Sequence, residues 1–576
     1  MAEIILRGGS VVDGTGAPAV TADVAIADGI ITEMGDLGGR SGRDLDCGGL
    51  VVAPGFVDPH THYDAQLFWD PHASPSNLHG VTSVIAGNCG FTLAPLAPGD
   101  GDYLRRMMAK VEGMPLEALE QGVSWEWESF GDYLDRLDGG LGVNAGFLVG
   151  HCALRRTIMG ERAVGSEASE DEVAEMVALL GTSIEAGGLG FSTSLSYTHA
   201  DGDGQPVASR WAADSEVLAL CAEVANHPGT TLELVTDGCM KGFTDDEVEL
   251  MTAMSLAGDR PLNWNVLTVD SADPERYRQQ LAASDRAAAA GARVVALTMP
   301  VLVGMNMSLR TYCALNMLPG CWGEVLGLPL ADRIPRLADA ETRAQLVADA
   351  ARPEAGAFSR LTGWHLYYIG STFSAENEGL HGRRIGDIAA ERGTDPFDTL
   401  VDIALADDLR TVLWPGPTDD DDESWTMRQA AWDHPHVMLG GSDAGAHLDR
   451  MCGAPYTTGF LADCLRGRRL VPLERAVHML TDVPARLFGL RDRGRLAEGY
   501  AADIVVFDPE TVGSGPVELV ADLPGGSGRL SSDPIGVERV FLNGVEAVLG
   551  GRATGALPGV VLRSGRHTDT VTASGP

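Results

Sequence analysis

The stretch VVAPGFVDPHTHYDAQ, residues 51–66, decides how the rest of the chain is interpreted. An apolar run passes through a Pro-Gly turn and ends in a His-x-His pair, His60 and His62. Residues two apart in a β-strand point to the same side, so both imidazoles can face one point. Neutral imidazole is a common ligand of zinc-type ions. The stretch therefore predicts a buried strand with a metal site at its end, against the alternative of two packed or solvated polar residues.

Several other short motifs with glycine or polar residues next to apolar runs lie along the chain. They are PGFVDPHTH at 54–62, HTHYDAQ at 60–66, GNCGF at 87–91, GHCALRR at 150–156, GFST at 190–193 and GSDA at 441–444. The first resembles the first-strand signature of the amidohydrolase superfamily, and the set resembles the N-acyl-D-amino-acid deacylase, or D-aminoacylase-like, family within it. The resemblance covers nearly the whole chain. It implies a metal-dependent hydrolase that cleaves the carbon–nitrogen bond of an amide other than a peptide.

The order of the predicted elements indicates the α/β fold class. Between 55 and 487, apolar strand-like runs alternate with helical stretches, which favours a parallel sheet. The number of such units fits an elaborated (β/α)8 TIM-like barrel. Two stretches look inserted: 305–340, and the acid-rich 415–423, which we interpret as a solvated loop.

Both chain ends are expected to be β structure, because short apolar runs there are broken by Gly and Asp turns. The resemblance implies that the two ends pair into one small β-sandwich beside the metallo-hydrolase barrel. The predicted domains are therefore 1–54 and 488–576 as the two parts of the sandwich, and 55–487 as the barrel with its insertions.

Composition argues against several classes of protein. The 576 residues, 44% hydrophobic and 21% charged, are an ordinary globular mix. The net charge of −39 argues against nucleic acid and anionic membranes as partners, and no apolar run is long enough to span a bilayer. The N-terminus lacks a secretion signal, and nine cysteines are scattered without paired spacing. We therefore expect a cytoplasmic enzyme with a small-molecule amide as its partner, while homo-oligomerisation stays open.

The candidate functional residues fall at the ends of predicted strands, where barrel enzymes carry their active sites. They are His60, His62, Cys89, His151 and Asp443. Because several separate strands end in such residues, their agreement is a stronger indication of a site than any one motif.

Hydrolysis of a carbon–nitrogen bond needs an activated water, a base, and a group that polarises the carbonyl. Asp443 follows a glycine-rich strand and is the candidate catalytic base; the alternative is an Asx turn or a helix cap. Cys89 lies in a turn-like Gly-Asn-Cys-Gly context, and the resemblance implies that its thiolate is a metal ligand. The predicted ligand set holds one zinc ion in preference to two and comprises His60, His62, Cys89 and Asp443.

The resemblance also implies two residues that bind substrate. Tyr197 matches a position that lines the substrate pocket in the family. Arg450 matches an arginine that grips a substrate carboxylate, a bidentate contact for which arginine is suited. The alternative for Arg450 is an ordinary surface arginine.

The chain departs from the family where the family has two histidines and a lysine. Glu233 and Asn265 stand at the histidine positions, and Leu267 stands at the lysine position. A carboxylate still binds zinc, but an amide is a poor ligand for a transition metal. Without the lysine, a substrate that lacks a free carboxylate becomes more suitable. Two alternatives to hydrolysis of an N-acyl amide therefore stay open: hydrolysis of a cyclic amide or imide, and a catalytically silent binding protein.

Overall fold

The computed structural model describes residues 3–575, apart from the side chain of Ala357. Within that range the chain forms two compact units. The larger comprises 3–269, 273–301 and 428–575, and the smaller comprises 270–272 and 302–427. Among the helices of the described residues, none combines the length and the apolar character needed to cross a bilayer.

The strands of both units are numbered in chain order. They are β1 (Ile4–Val11), β2 (Val20–Ala27), β3 (Ile30–Gly35), β4 (Arg43–Asp46), β5 (Val51–Pro54), β6 (Phe56–Asp58), β7 (Val81–Ala86), β8 (Asn144–Phe147), β9 (Val149–Gly150), β10 (Gly190–Ser194), β11 (Thr231–Val235), β12 (Leu262–Asn265), β13 (Val294–Thr298), β14 (Tyr368–Ile369), β15 (Leu413–Trp414), β16 (Val437–Leu439), β17 (Ile504–Phe507), β18 (Gly513–Ser514), β19 (Glu518–Val520), β20 (Arg529–Ser531), β21 (Pro534–Ile535), β22 (Val537–Leu542), β23 (Val545–Leu549), β24 (Arg552–Ala553) and β25 (Val561–Leu562).

The α-helices lie mostly between these strands. They are α1 (Gly101–Val111), α2 (Leu116–Gly122), α3 (Phe130–Leu137), α4 (His151–Met159), α5 (Glu170–Glu185), α6 (Asp214–Val224), α7 (Gly238–Lys241), α8 (Asp245–Gly258), α9 (Pro274–Ala289), α10 (Trp322–Gly327), α11 (Leu330–Ala338), α12 (Ala340–Ala350), α13 (Ile385–Arg392), α14 (Pro396–Ala406), α15 (Asp422–Trp432), α16 (Tyr456–Leu465), α17 (Leu473–Leu480) and α18 (Asp482–Leu487). Local sequence explains several of their ends. For example, Ser169 and Glu172 form a capping box at the start of α5.

Strands from both ends of the chain share one nine-stranded sheet. Its order is β24-β23-β22-β17-β5-β1-β2-β3, with β4 beside β1. Strand β5 is the link, since it pairs in parallel with β1 and antiparallel with β17. Val52 lies opposite Val506 in that pairing, and both are fully buried. Only Gly55 separates β5 from β6. This sheet therefore anchors the start of the strand that leads to the His-x-His pair.

The middle of the larger unit is built from parallel strands with buried faces. One sheet has the order β16-β13-β12-β11-β10-β9 and another the order β25-β8-β7-β6. One residue separates β8 from β9 along the chain. All residues of β11 are buried, as expected for strands covered on both faces.

The carboxyl ends of β6 and β16, the edge strands of these two sheets, are joined by the backbone. Thr61 and Ala444 form a parallel bridge, and the amide of His62 donates to the carbonyl of Ala444 at 2.7 Å. The amide of Asp443 donates to the carbonyl of His60 at 3.3 Å. These bonds hold the His-x-His segment directly beside Asp443.

The smaller unit has a hydrophobic core of its own, in which Trp322 and Tyr367 are almost completely buried. It contains both stretches predicted as insertions, 305–340 and 415–423. The acidic run leads into a helix, because Asp421 accepts a hydrogen bond from the amide of Ser424 at 2.9 Å in the first turn of α15.

Candidate metal centre

Sharp turns after the parallel strands place the candidate residues. A short 3-10 helix, Asn88–Gly90, follows β7, and inside it Cys89 has a positive φ of 56°. Asp443 likewise has a positive φ of 57°, after Gly440 and Gly441 at the end of β16. Left-handed backbone is uncommon for residues other than glycine, and it concentrates at functional turns. At both places it directs a polar side chain over the strand ends.

Two imidazoles and a thiol form the first group of ligand atoms. His60 Nε2 lies 3.6 Å from Cys89 Sγ, and the rings of His60 and His62 are 5.3 Å apart at an interplanar angle of 75°. All three residues are buried. Their three ligand atoms lie within 4.8 Å of one another, which is compatible with one tetrahedral ion. We refer to His60, His62 and Cys89 as the thiol site.

Two carboxylates share His62 with the thiol site. His62 Nε2 lies 3.1 Å from Asp443 Oδ1 and 3.6 Å from Glu112 Oε2. Asp443 Oδ1 is also 3.7 Å from His60 Nε2. The ligand atoms of His62, Glu112 and Asp443 again lie within 4.8 Å of one another. We refer to these three residues as the carboxylate site.

Burial and charge shift the pKa values of this cluster strongly. Burial lowers the pKa of His60 to about 3, aided by the neighbouring His62. Burial alone would also lower the pKa of His62, but Glu112 and Asp443 raise it to about 10. Burial raises the pKa of Glu112 to about 7, against the opposing effect of His62. The two carboxylates therefore favour positive charge at His62, which is where a divalent cation would bind.

The residues at the departure positions, Glu233 and Asn265, both contact Cys89. The amide of Cys89 donates to Glu233 Oε2 at 2.8 Å, and Asn265 Nδ2 lies 3.7 Å from Cys89 Sγ. Glu233 Oε1 and Asn265 Oδ1 are buried without a hydrogen-bond partner among the described residues. Burial raises the pKa of Glu233 to about 8. Such unsatisfied oxygens next to a thiol and two imidazoles are consistent with a bound cation.

Three residues of the cluster were not predicted as functional. Glu112 follows α1 and is buried, and no motif surrounds it. His447 Nε2 lies 3.7 Å from Asp443 Oδ2, and its spacing of four residues after Asp443 is a signal that could have been used. His199 donates to or accepts from Ser194 Oγ at 2.6 Å, and burial lowers its pKa to about 3.

His151, another predicted strand-end residue, has a structural environment. Its Nδ1 lies 2.8 Å from Thr193 Oγ1 and its Nε2 lies 2.8 Å from Glu216 Oε1. Arg155 donates to the same Glu216 carboxylate at 2.6 Å. Both ring nitrogens of His151 are therefore occupied by protein, and neither is free to bind a metal.

Tyr197 and Arg450 lie on the turns that follow β10 and β16. The Tyr197 amide donates to Asp237 Oδ1 at 2.6 Å, and Lys241 Nζ lies 3.7 Å from the centre of the Tyr197 ring. Arg450 Nε donates to Asp449 at 2.6 Å. Both side chains are thus at the strand ends that carry the cluster, already engaged with neighbouring charges.

Comparisons with known proteins identify the family of the chain. The amidohydrolase family model matches residues 44–548. D-aminoacylase of Alcaligenes xylosoxydans xylosoxydans is 28% identical over 521 residues, 88% of this chain and 89% of that protein. N-acyl-D-glutamate deacylase of the same organism is 30% identical over 577 residues, 97% of this chain and 96% of that protein.

Two solved structures resemble nearly the whole chain. A D-aminoacylase with a binuclear metal centre, activated by one metal and attenuated by the second, has a TM-score of 0.63 at 27% identity and covers 97% of this chain and 99% of its own. N-acyl-D-glutamate deacylase from Bordetella bronchiseptica, complexed with zinc and a phosphonate mimic of the tetrahedral intermediate, has a TM-score of 0.63 at 27% identity, with 98% and 100% covered. The chain therefore belongs to the amidohydrolase family and is a D-aminoacylase-like hydrolase that acts on carbon–nitrogen bonds other than peptide bonds.

Proposed function

We propose that the chain is a one-zinc amide hydrolase, with the ion held by His60, His62 and Cys89 and with Asp443 as ligand and catalytic base. The observation that carries the proposal is the meeting of these side chains from three separate strand ends. Asp443 Oδ1 lies 3.1 Å from His62 Nε2 and 3.7 Å from His60 Nε2, while Cys89 Sγ is 3.6 Å from His60 Nε2.

The fold that we propose for this site is a closed (β/α)8 barrel over 55–487, with the shared sheet of 1–54 and 488–576 as its β-sandwich. The parallel strands β6, β7, β8 with β9, β10 to β13, and β16 would form the eight staves. The bridge between Thr61 and Ala444 supports closure, since it links the two edge strands.

When bound, a zinc ion supplies Lewis acidity, which polarises a carbonyl and lowers the pKa of water towards about 7. Asp443 is ionised for its part: burial would raise its pKa, but the hydrogen bond with His62 and the nearby histidines hold it well below the usual range. The Asp443 carboxylate takes a proton from the attacking water as the water oxygen bonds to the carbonyl carbon. It then returns that proton to the leaving nitrogen as the carbon–nitrogen bond breaks.

Other residues keep the thiol site in position. Burial raises the pKa of the Cys89 thiol well above its usual value, so the thiolate forms only when a cation replaces its proton. The hydrogen bond from the Cys89 amide to Glu233, at 2.8 Å, fixes the left-handed turn. Glu233 is thus a positioning residue in this proposal, and Asn265 supports the same sulfur.

The proposed substrate is an N-acyl amide of small size, with Tyr197 and Arg450 lining its pocket. The relatives are named for deacylation of N-acyl-D-amino acids, including aspartate and glutamate derivatives. Leu267 is buried where those relatives are expected to carry a lysine, which favours a less charged substrate and keeps a cyclic amide or imide as the second candidate.

The net charge of −39 and nine free cysteines support a cytoplasmic small-molecule enzyme rather than a nucleic-acid or membrane partner.

Metal content of the purified protein tests the site. We expect about one zinc ion per chain in the parent, and loss of that zinc in His60→Ala and in Cys89→Ala. Cys221→Ala is the matched control, because Cys221 is buried on α6 outside the cluster and should leave zinc unchanged. A parent that binds no metal even after zinc is supplied would overturn the proposal.

Activity of the zinc-loaded protein separates the candidate substrates. Release of free amine from N-acyl amides supports deacylation, whereas ring opening of cyclic amides or imides alone supports the second candidate. Full zinc occupancy without hydrolysis of either class would instead indicate a binding protein.

A further inference from the structure

We infer that Glu112 is a ligand of the metal centre, and that the carboxylate site is a second position for the ion, selective for a hard divalent cation such as Mn²⁺. The inference deepens the proposed function and rests on it, because both concern the same centre. It adds a ligand from outside the strand-end motifs, and it predicts that the centre chooses between two cations.

The burial of Glu112 is the first argument. Only 4% of its side chain is exposed, and it faces His62 Nε2 at 3.6 Å. A buried carboxylate is expensive unless it is paired with a cation or coordinates a metal. The Asp443 carboxylate is directed at the same imidazole, 3.1 Å away. Two carboxylates that converge on one nitrogen bring like charges together in a buried site, and a divalent cation bound there would balance both.

The backbone around Glu112 is built for this placement. The Glu112 amide ends α1 by donating to the Met108 carbonyl at 3.0 Å, and its own carbonyl accepts from the His447 amide at 2.5 Å. The next residue, Gly113, has a positive φ of 57°. A Cβ on Gly113 would lie 3.0 Å from both Arg450 Nη2 and His447 Nδ1. Glycine adopts this backbone without strain and leaves the Arg450 and His447 side chains in place, which lets the end of α1 approach the Asp443 turn closely.

His62 makes the two sites mutually exclusive. His62 belongs to both groups of residues, and a neutral imidazole offers a single nitrogen lone pair to a metal. The thiol site offers a soft sulfur, which favours zinc. The carboxylate site offers two oxygen ligands, which favour manganese or another hard cation. The centre should therefore bind one ion at a time, and the identity of the ion should decide which side of His62 it occupies.

The carboxylate site does not depend on the two polar residues that contact Cys89, Glu233 and Asn265. Asn265 is a poor ligand, and Glu233 already accepts a hydrogen bond from the Cys89 amide. The two carboxylates of the carboxylate site neutralise a divalent cation without either residue.

Cation binding to chelator-treated protein, without substrate, tests the role of Glu112. Electron paramagnetic resonance of Mn²⁺ should report a bound ion in the parent. We expect Glu112→Gln to weaken Mn²⁺ binding by at least about tenfold and zinc binding less. The matched control Glu120→Gln, at an exposed position on α2, should bind both cations as the parent does. Cys89→Ala should show the reverse selectivity, losing zinc and retaining Mn²⁺.

Competition on the parent protein tests the shared ligand even if Glu112→Gln does not fold. Adding zinc to the Mn²⁺-loaded parent should release Mn²⁺ one for one. Simultaneous binding of both cations would overturn the shared role of His62, and unchanged Mn²⁺ affinity in Glu112→Gln, or no Mn²⁺ binding by the parent, would overturn the role of Glu112. These results are distinguishable from failure of the proposed function, which is decided by zinc binding and amide hydrolysis in the parent.

Discussion

Two regions at the ends of the parallel strands carry buried histidines and differ in how those histidines are bonded. His151 uses both ring nitrogens, with Thr193 and Glu216 each 2.8 Å away. His60 and His62 are equally buried, but within the described residues neither has a hydrogen-bond partner for its Nδ1. Their Nε2 atoms face a thiol and carboxylates instead.

The difference shows that burial at a strand end is not in itself a sign of function. A buried polar group is normally satisfied by protein, as His151 is. His79 follows the same rule, since Thr458 Oγ1 lies 2.6 Å from its Nδ1 and the Ser532 carbonyl 2.9 Å from its Nε2. We call a histidine saturated when protein groups bond both of its ring nitrogens, as in the saturated region around His151. His60 and His62 define the unsaturated region. Saturated histidines should contribute to stability, and the unsaturated pair to metal binding and chemistry.

The largest effect is expected in the unsaturated region. Asp443→Asn removes the proposed base while keeping the size of the side chain, so kcat should fall by roughly 10²- to 10⁴-fold with little loss of stability. Steady-state kinetics and thermal unfolding of the same preparation measure the two effects. Asp285→Asn, at an exposed position on α9, is the control and should match the parent. Near-parental kcat in Asp443→Asn would place the base elsewhere.

The saturated region should respond in the opposite way. Glu216→Gln removes the charge that pairs with buried Arg155, at 2.5 Å, and with His151. Breaking a buried ion pair from one side costs roughly 3–5 kcal/mol of unfolding free energy. Denaturant unfolding should show this loss, and zinc content should stay at the parental value. Glu223→Gln, on the same helix with 20% of its side chain exposed, should cost less. Loss of zinc without loss of stability in Glu216→Gln would abolish the distinction between the regions.

Much of the unsaturated region was predictable because short sequence motifs mark its residues. The pair His60 and His62 follows a recognisable strand, and Cys89 and Asp443 each lie in a glycine-rich turn after an apolar run. Alternating strands and helices place all such turns at one edge of a parallel sheet. The sequence thus predicted the mixed α/β class and the proximity of His60, His62, Cys89 and Asp443.

The remainder depends on contacts between distant parts of the chain. Glu112 sits at a helix end, and only its contacts with His62 and with the His447 amide, both far away in the sequence, show that it belongs to the cluster. His151 was a candidate functional residue from its place at a strand end, and its structural role depends on Glu216, which lies on a helix far along the sequence. The stretches 305–340 and 415–423 were predicted as separate insertions, but the joining of 302–427 into one compact unit depends on contacts between distant residues.

Acid stability provides a further test of the saturated class. Burial lowers the pKa of His79 from 6.5 to about 4, so the folded state binds its proton less readily than the unfolded chain. Its contribution to stability is therefore complete above pH 6.5 and is lost as the pH falls from 6.5 to 4, by about 3 kcal/mol. Unfolding free energies across this range should fall more steeply in the parent than in His79→Gln. Equal slopes would show that His79 is not held neutral.

The smallest effect concerns Gly113, in the turn where the end of α1 lies against His447 and Arg450. Gly113→Ala should cost about 1–2 kcal/mol, because φ is 57° and the new methyl meets Arg450 and His447 at 3.0 Å. Gly393→Ala is the control: φ is 66° and no atom lies within 4 Å of the added Cβ. Both variants should lose stability in denaturant unfolding, but only Gly113→Ala should also weaken Mn²⁺ binding, since the clash moves Glu112 away from His62. If both leave Mn²⁺ affinity unchanged, the close approach of α1 contributes to packing alone, and Glu112 would belong with His151 rather than with the metal centre.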